Sequence, residues 1–569
     1  MPRLLIALLT LSVATSFGNE AAEFAKLELS DTYGTAKKLG DLQGSKFTVV
    51  AFLGTECPLA KLYGPRLREL AKRFEGEEVR FIGVNSNIQD SLTEVSAYVN
   101  RARIEFPMLL DTEHKLADLL TAERTPEVYV LDADHKVRYR GRIDDQYAIS
   151  VAREKPTKED LANAIEALLD GKEPKATRTK AIGCIIGRRR KMEPTGDITY
   201  SKHIAPILNK RCVECHRQGE LAPFSLESFE DTVGWTDMMA EVITENRMPP
   251  WNANPKFGHF SNDARLSDEE KKTILTWVKN GAPEGSKADL PEPPKFIKGW
   301  RIEKPDIVYN MRKRPFKVPA TGVVDYKNFR VDPKFKEDVF VNAVEARPGN
   351  PEVVHHIVVY VITPGQRRRG LGTMLIGYAP GTSPLIYPKD AGMRIPKGSQ
   401  FIFQMHYTPN GEPGEDQSYC GVKFIDKDKV KQEIVGAEAM TSRFAIPPRA
   451  DNHVVTARKR MREDIKLITL TPHMHLRGKS FRYEVRYPDG KKEVLLDVPK
   501  YDFNWQLRYE LAEPKLLPKG SILECVAAFD NSEKNLNNPD PGKRVTWGDQ
   551  SFEEMMIGFY AGVRPWKSE

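Results

Sequence analysis

A short motif near the middle of the chain carries the clearest chemistry. Cys212, Cys215 and His216 stand in the order C-x-x-C-H. Two thiols at this spacing can form thioethers with the vinyl groups of a porphyrin, and the adjacent imidazole can become an axial iron ligand. A zinc half-site or a dithiol redox pair would use the same residue types. A zinc site would need a second thiol pair nearby, however, and the next cysteine is Cys420. The motif therefore predicts covalent attachment of haem c.

The opposite face of such an iron needs a second ligand from further along the chain. Met248, followed by two prolines that fix the local backbone, is the candidate, although a methionine there could equally fill a core. Ser267 predicts the N-cap of a helix that runs to about Gly281. This order of motif, methionine loop and closing helix resembles a small all-α cytochrome c domain. We place that domain at residues 197–285.

Six of the 11 histidines lie after residue 306, and five of them stand in sequence contexts that suggest metal binding. There, short β-branched and aromatic runs predict two all-β sandwich lobes, jelly-roll-like, at residues 306–435 and 436–569. His355 and His356 are adjacent, so on a regular strand they face opposite ways and can share a metal only with local bulging or twisting. His473 and His475 are two apart and should face the same side of a strand. A buried core histidine is the alternative for each position.

The order of these histidines, followed by the run Glu553-Glu554-Met555-Met556, resembles the copper type II, ascorbate-dependent monooxygenases, the group containing peptidylglycine and dopamine hydroxylases. The resemblance implies two copper ions, O2 as co-substrate and C–H hydroxylation of a small molecule. It implies an electron-transfer copper held by His355, His356 and His406. It implies a catalytic, oxygen-binding copper held by His473, His475 and Met555. Imidazole and thioether ligands suit an ion that cycles between Cu(I) and Cu(II). Without the resemblance, Met555 would be expected in a core.

A reactive thiol is expected near the start of the chain. Cys57 follows an apolar strand pattern, and Pro58 suits the first position of a helix, which places Cys57 at a helix N-terminus where a thiolate is favoured. The strands and helices alternate over residues 20–170, and Thr125-Pro126 precedes a later strand. This pattern resembles a thioredoxin-like α/β redoxin domain, in which a cis-proline lies beside a catalytic thiol.

The redoxin resemblance has two departures. Ala60 stands where the family has its second cysteine, and Gly54 stands where peroxiredoxins have a threonine. Cys184 could serve as a distant resolving thiol, so we predict a Cys57–Cys184 disulfide; a buried, unpaired Cys184 is the open alternative. The pairing of Cys420 with Cys525 is not determined. Basic and proline-rich stretches predict linkers at residues 171–196 and 286–305.

The totals are those of a multidomain, folded protein. A chain of 569 residues should hold about three to five domains. A net charge of +7 over that length is a mild bias and does not indicate a nucleic-acid partner. Residues 1–18 combine Arg3, an apolar run and small residues, which predicts a cleaved signal peptide rather than a membrane span. We therefore expect a bacterial periplasmic or cell-envelope protein with no integral membrane span after cleavage.

Three functions follow from these patterns. The first is an exported multi-centre oxidoreductase, a copper-dependent monooxygenase whose haem, or an external reductant or redox protein, supplies electrons. The second is a non-catalytic electron carrier or copper- and haem-binding protein. The third is a thiol peroxidase that works through Cys57.

Overall fold

The structure is a computed structural model that describes residues 23–76, 78–189, 193–220, 222–296, 299–320, 324–365, 372–379, 382–410 and 412–566. The chain splits into two compact units. The first comprises Met1–Met248 and Leu266–Pro293, and the second comprises Pro249–Arg265 and Pro294–Glu569. The expected signal peptide at residues 1–18 lies outside the described residues. Within those residues, every helix is too short or too polar to cross a membrane.

The first unit begins with an α/β region. Its strands are β1 (Glu28–Asp31), β2 (Ala36–Lys38), β3 (Phe47–Phe52), β4 (Val79–Asn85), β5 (Met108–Leu110), β6 (Arg124–Thr125), β7 (Glu127–Asp132), β8 (Val137–Gly141), β9 (Tyr147–Ala148), β10 (Val151–Ala152) and β11 (Cys184–Ile185). Its helices are α1 (Leu39–Leu42), α2 (Pro58–Arg73), α3 (Leu92–Ala102), α4 (Lys115–Leu119) and α5 (Asp160–Leu169).

Seven of these strands form one sheet in the order β2-β1-β5-β4-β3-β7-β8. Every residue of β3 is buried, as expected for a central strand covered on both faces. The peptide bond between Thr125 and Pro126 is cis, which confirms that expectation. The thioredoxin-like α/β fold is therefore confirmed. The stretch read as a linker, 171–196, contains β11, which pairs antiparallel with β6.

The rest of the first unit is helical. A π-helical turn (Tyr200–Ile204) leads into α6 (Ala205–Arg211), α7 (Phe229–Val233), α8 (Thr236–Thr244) and α9 (Asp268–Lys279), and a 3-10 turn follows at Lys287–Asp289. The expected N-cap at Ser267 is confirmed, since its side chain accepts the Glu270 backbone N–H and the Glu270 side chain returns the bond. Trp277 and Ile274 are fully buried in the core of this region.

The second unit is built from strands. They are β12 (Ile307–Asn310), β13 (Phe316–Val318), β14 (Lys327–Val331), β15 (Val339–Arg347), β16 (Val354–Ile362), β17 (Thr373–Tyr378), β18 (Leu385–Ile386), β19 (Ala391–Ile395), β20 (Gln400–Tyr407), β21 (Gly414–Asp416), β22 (Tyr419–Phe424), β23 (Gln432–Met440), β24 (Ala445–Ile446), β25 (His453–Arg460), β26 (Ile465–His473), β27 (Gly478–Arg486), β28 (Lys492–Val498), β29 (Tyr509–Leu517), β30 (Ile522–Phe529), β31 (Val545–Thr546) and β32 (Ile557–Pro565). A 3-10 turn lies at Lys427–Lys429.

One sheet runs through both halves of this unit. Its order is β12-β22-β15-β19-β23-β32-β26-β29, with β18 added against β15. Four-stranded sheets, β14-β20-β16-β17 and β25-β30-β27-β28, belong to the two halves. The expected boundary between residues 435 and 436 falls inside β23, which pairs with β19 on one side and β32 on the other. The two expected lobes therefore share a continuous sheet.

Residues 249–265 belong to the second unit, although the sequence placed them with the helical region. Trp251 and Phe260 are 9% exposed, and their rings contact the ring of Tyr509 at centroid distances of 4.9 and 5.5 Å. The Asn254 side chain donates to Asp497 at 2.8 Å. Two large aromatic side chains need a core to bury them, and the β sandwich supplies it.

Candidate functional site

Three imidazoles meet on the four-stranded sheet that carries β16 and β20. His356 pairs across these strands with His406, and a register shift between Val354 and His356 makes His355 an extra residue. The Nδ1 atoms of His355 and His356 lie 3.4 Å apart. One nitrogen from each of the three rings lies within 4.8 Å of the others. The bulge that adjacent ligands require is therefore present.

His473 and His475 do not lie on one face of a single strand, contrary to what the sequence suggested. Strand β26 ends at His473, and His475 lies in the turn that follows, so the same-face rule does not apply to it. The two ring centroids are nevertheless 5.2 Å apart. The Glu554 carboxylate holds this turn, because it accepts the backbone N–H of His475 at 2.9 Å and of Arg477 at 2.6 Å.

Hydrogen bonds orient both rings of this pair. Nδ1 of His473 lies 2.6 Å from Oε1 of Gln506, and Nδ1 of His475 lies 3.4 Å from the Glu553 carbonyl oxygen. A carbonyl oxygen can only accept, so each Nδ1 carries the proton. Each Nε2 then presents a lone pair, the arrangement that a metal-binding histidine needs.

Met555 lies close to His473 along the sheet. It precedes by two residues Ile557, the cross-strand partner of His473, and it is buried. Met555, His473 and His356 all line a cavity of about 820 Å³ between the two halves of the second unit. The role of Met555 as a ligand stays a prediction, but its thioether borders the same space as the imidazoles.

Two aromatic rings join the two histidine groups. The Tyr326 ring centroid lies 4.7 Å from that of His406 and 6.4 Å from that of His475. The Phe503 ring lies 6.2 Å from His406 and 6.1 Å from His475, and it stacks on His355 at 4.9 Å. The five imidazoles therefore form one histidine cluster, which we define as His355, His356, His406, His473 and His475.

Burial keeps this histidine cluster neutral. It lowers the pKa of His355 to about 4 and lowers the pKa of the other four rings as well. Nδ1 of His406 and Nε2 of His475 are buried without a hydrogen-bond partner among the described residues. Buried polar atoms are rarely left unpaired, so nitrogens in this state fit metal ligands. The residues present therefore fit copper.

The C-x-x-C-H motif forms a helical turn after α6. The backbone N–H of His216 donates to the Cys212 carbonyl at 2.9 Å, and that of Cys215 donates to the same oxygen at 3.0 Å. Nδ1 of His216 lies 3.2 Å from the Phe224 carbonyl oxygen, and Phe224 stacks on Trp235 at 3.9 Å. Nδ1 must therefore donate, which leaves Nε2 free, as an axial iron ligand requires. These residues fit a covalently attached haem.

Burial also sets the ionisation of the motif. It lowers the pKa of His216 and raises the pKa of Cys212 to about 12. Met248, the expected sixth ligand, is half-buried and is the last residue of the first unit's longer segment. Its backbone N–H donates to the Val242 carbonyl at 3.3 Å. Ligation by Met248 stays a prediction.

A pair of thiols lies beside the cis-proline of the α/β region. Cys57 is the N-cap residue of α2, and its thiol donates to the Thr125 carbonyl at 2.9 Å. Cys184 is the cross-strand partner of Thr125 and hydrogen-bonds to Cys57. Both thiols are free in this structure, so the Cys57–Cys184 disulfide stays a prediction. The chain nevertheless brings the two sulfurs together.

The two thiols differ in ionisation. Burial alone would raise the pKa of Cys57, but the Cys184 thiol and the backbone N–H groups of Ala60 and Cys184 stabilise the thiolate, and the pKa falls to about 7. The pKa of Cys184 is raised well above its ordinary value, first by its bond to Cys57 and then by burial. Cys57 is therefore the thiolate of the pair.

Gly54 has no room for a side chain. An added Cβ would lie 2.6 Å from Nδ2 of Asn87 and 3.0 Å from Oγ1 of Thr125. The threonine that peroxiredoxins carry three residues before their cysteine therefore cannot be accommodated without movement. Cys420 and Cys525 are free thiols with 0% exposure, in β22 and β30.

Comparison with known proteins assigns the first part of the chain. Residues 18–140 match the AhpC/TSA family. The thiol-disulfide oxidoreductase ResA of Bacillus subtilis (strain 168) is 29% identical over 122 residues, which cover 21% of this chain and 65% of ResA. The chain thus spans less than two thirds of the length of that curated relative. The N-terminal region is an AhpC/TSA-type redoxin domain.

Solved structures match part of the chain. A hypothetical protein from Sinorhizobium meliloti 1021 is 28% identical, with a TM-score of 0.27, and the match covers 29% of this chain and 92% of that chain. A secreted Mycobacterium tuberculosis disulfide oxidoreductase homologous to E. coli DsbE is 16% identical, with a TM-score of 0.21. The match covers 26% of this chain and 98% of that chain.

Several residues of the histidine cluster's surroundings were missed by sequence reasoning. Gln506, Tyr326 and Phe503 lie in loops with no metal-ligand spacing, and only the fold brings them to the imidazoles. Glu554 was visible beside Met555, but its bonds to the turn at His475 depend on the pairing of β26 with β32.

Proposed function

We propose that this chain is an exported, multi-centre oxidoreductase whose second unit is a copper-dependent, O2-activating monooxygenase. The observation that carries the proposal is the histidine cluster: five neutral imidazoles converge, three of them buried and two part-exposed, and two of the buried nitrogens have no partner among the described residues. A core histidine would have its polar atoms satisfied. The non-catalytic alternative, an electron carrier or metal-binding protein, would use the same ligands, and oxygen uptake distinguishes it from a monooxygenase.

Each imidazole has an assigned place in this proposal. His355, His356 and His406 would hold one copper, and His473, His475 and Met555 would hold the other. Bound copper would supply one-electron transfer and the activation of O2 for hydroxylation of a C–H bond. The chain's own contribution is to fix the rings, since Gln506 and the Glu553 carbonyl keep protons on the Nδ1 atoms.

The cavity of about 820 Å³ would bind the small-molecule substrate. Its lining includes Tyr360, Tyr387, Met374 and Met393, so much of the wall is apolar and aromatic. Such a wall excludes water from the reacting bond and orients the substrate by shape. His356 and His473 open into the same cavity, which places a bound substrate beside both groups of ligands.

The haem is proposed as the internal electron source. Cys212 and Cys215 would attach it, and His216, with Met248, would ligate its iron. When bound, such a haem supplies reversible one-electron transfer. An external reductant or redox protein would reload it. Stopped-flow mixing of protein with reduced haem and protein with oxidised copper tests this electron transfer. Haem reoxidation should occur at the same rate as copper reduction. If the haem is not reoxidised as copper is reduced, the haem is not the electron source.

Oxygen uptake tests the monooxygenase proposal. The copper-loaded full chain should consume O2 in the presence of reductant, and His475→Ala should abolish the uptake while haem absorbance is unchanged. His453→Ala, a histidine of β25 outside the cluster, is the matched control and should retain uptake. Uptake that persists in His475→Ala would reject the proposal. Copper binding without any uptake would favour the non-catalytic carrier.

We further propose that the redoxin domain performs thiol–disulfide exchange through Cys57 and Cys184. The hydrogen-bonded sulfurs beside the cis-proline, the AhpC/TSA match and the similarity to a thiol-disulfide oxidoreductase favour this second function. Oxidation would join the two sulfurs and release two protons and two electrons. A non-reducing peptide map should recover a Cys57–Cys184 peptide after mild oxidation. Peroxide consumption dependent on Cys57 would instead favour a thiol peroxidase.

The proposed location is the periplasm or cell envelope. Covalent haem and a disulfide both require an environment outside the reducing cytosol, and one solved relative is described as secreted. Fractionation of the producing bacterium should recover the chain in the periplasmic fraction.

A further inference from the structure

The two thiols of the redoxin domain differ in access. The side chain of Cys57 is 1% exposed, whereas Cys184 is part-exposed on β11. In thiol–disulfide exchange, an incoming thiolate must reach one of the two sulfurs in line with the S–S bond, so access decides which sulfur is attacked. Cys57, the thiol with the lower pKa, is therefore the one that is shielded from solvent and from an incoming thiolate.

The segment that carries Cys184 is fixed over Cys57. Strand β11 pairs antiparallel with β6, and Gly183 lies so close that an added Cβ would be 2.0 Å from the Thr125 carbonyl oxygen. The Ile186 N–H donates to the Glu123 carbonyl at 2.9 Å. The backbone edge beside the cis-proline is therefore occupied by the chain itself.

Further bonds hold this segment on its other side. The Gly187 N–H donates to Oδ1 of Asn87 at 3.1 Å, and its carbonyl accepts the Ile88 N–H at 3.0 Å. The Ile185 N–H donates to Sδ of Met238, on α8 of the helical region, at 3.4 Å. An external partner therefore cannot displace the segment without breaking several backbone bonds, and Cys57 stays covered.

Charges flank Cys184. The Arg124 guanidinium donates to the Gly183 carbonyl at 2.9 Å and pairs with Glu241 at 2.5 Å, and Arg247 pairs with the same carboxylate. Both guanidiniums favour negative charge at Cys184. Arg247 also pairs with Glu245, so two carboxylates balance the two guanidiniums, and these ion pairs hold the surroundings of Cys184 in place.

We propose that Cys184 is the sulfur through which the pair exchanges with external thiols, and that Cys57 is the internal leaving group. This inference rests on the proposed dithiol function. An external thiolate attacks Sγ of Cys184 in the disulfide, the S–S bond breaks, and Cys57 leaves as a thiolate. A second external thiolate then attacks the external sulfur of the mixed disulfide. Two external thiols become one disulfide, and the pair gains two electrons and the corresponding protons.

The environment of Cys57 suits a leaving group. The Ala60 N–H at the start of α2 and the Cys184 N–H both point at its sulfur. A leaving thiolate that is stabilised departs faster. In this pair the thiol with the higher pKa, Cys184, reacts with the partner, and the thiol with the lower pKa, Cys57, is the leaving group.

Glutathione disulfide is a suitable probe of the two sulfurs. Full-length Cys57→Ser and Cys184→Ser variants are incubated with it at about pH 8, and the mixed disulfides are located by peptide mapping. Cys184 in Cys57→Ser should be modified at least about tenfold faster than Cys57 in Cys184→Ser, because Cys184 is part-exposed whereas Cys57 is 1% exposed. Faster modification of Cys57 overturns the inference.

Cys420 and Cys525 serve as internal controls in the same maps. Both have 0% exposure, so their modification would reveal an unfolded variant. In that case the unsubstituted chain decides: it is oxidised, treated briefly with reduced glutathione and quenched with acid. A glutathione adduct on Cys184 is expected, and an adduct on Cys57 overturns the inference. If no Cys57–Cys184 disulfide forms at all, the proposed dithiol function itself fails.

Discussion

At the scale of single residues, burial decides which groups can do chemistry. The histidine cluster is neutral because its rings are removed from water, and each neutral imidazole can offer a lone pair to a metal. The same loss of water would raise the pKa of Cys57, but the hydrogen-bond donors around its sulfur reverse the effect. Local donors, rather than burial alone, therefore distinguish a reactive thiol from the inert Cys420.

The pH dependence of Cys57 follows from its donors. Its pKa of about 7 lies below the ordinary value of 9.0, so thiolate absorbance in the ultraviolet should rise with a midpoint near pH 7. Cys184→Ala removes a donor and should move the midpoint upward. The unfolded chain holds more protons between about pH 7 and 9, so this thiol's contribution to stability grows as pH rises through that window and is lost as pH falls. An unchanged midpoint in Cys184→Ala would contradict the account.

Gln506 orients His473 without binding metal. Gln506→Leu removes the acceptor of the Nδ1 proton, so the ring can rotate and copper affinity should fall by about 10–100-fold. Gln432→Leu, on β23 and bonded to Asp390, is the matched control and should leave affinity unchanged. Copper titration followed by electron paramagnetic resonance measures both. Equal affinities in the two variants would remove Gln506 from the site.

At the scale of elements, the sites depend on irregularities rather than on regular strands. The bulge at His355 turns two adjacent imidazoles toward one point, and the turn after β26 brings His475 beside His473. Glu554 closes that turn by accepting two backbone N–H groups. Both features lie where the strand is paired on one side only, because β17 pairs with β16 from Ile357 onward and β29 pairs with β26 only up to Leu470.

Glu554→Leu should destabilise the second unit. It leaves the N–H groups of His475 and Arg477 buried without an acceptor, at about 1–3 kcal/mol each. Glu554→Gln keeps an acceptor oxygen and should lose less. Chemical denaturation of the full chain measures the change, with Glu553→Gln, the half-buried neighbour, as the control within about 0.5 kcal/mol of the parent. Equal losses in Glu554→Leu and Glu553→Gln would contradict the assigned role.

Segment 249–265 should contribute to the stability of the β sandwich. Trp251→Ala is expected to cost about 3–5 kcal/mol, because a large buried ring is lost from the contact with Tyr509. Trp251→Phe should cost much less, since the indole N–H has no partner among the described residues. Tyr33→Ala, at 90% exposure, is the control. Denaturation midpoints that do not separate Trp251→Ala from Tyr33→Ala would refute this packing.

Sequence patterns predicted the local features and missed the long-range ones. The α/β alternation and the cap at Ser267 follow from neighbouring residues, and the cis bond before Pro126 is implied by the redoxin resemblance; all three are confirmed. The continuous sheet through β23 and the place of Gln506 beside His473 depend on strand register between distant segments. A single sequence contains no direct signal for such pairings.

At the scale of the whole molecule, one chain carries the dithiol of the redoxin domain and the two metal sites that we propose. The redoxin domain carries a dithiol, the helical region carries the C-x-x-C-H turn, and the β unit carries the histidine cluster. A haem or a copper transfers one electron at a time, whereas a dithiol transfers two electrons together. We therefore expect the dithiol to serve a thiol partner, separately from electron supply to the histidine cluster.

Metal content of the purified holoprotein tests whether the chain binds two coppers and a haem iron. Elemental analysis should find two coppers and one iron per chain. His406→Ala should lose one copper and His475→Ala the other, while both keep the iron and His453→Ala keeps all three ions. A chain that holds no copper, or whose copper is unaffected by both His406→Ala and His475→Ala, would contradict the account.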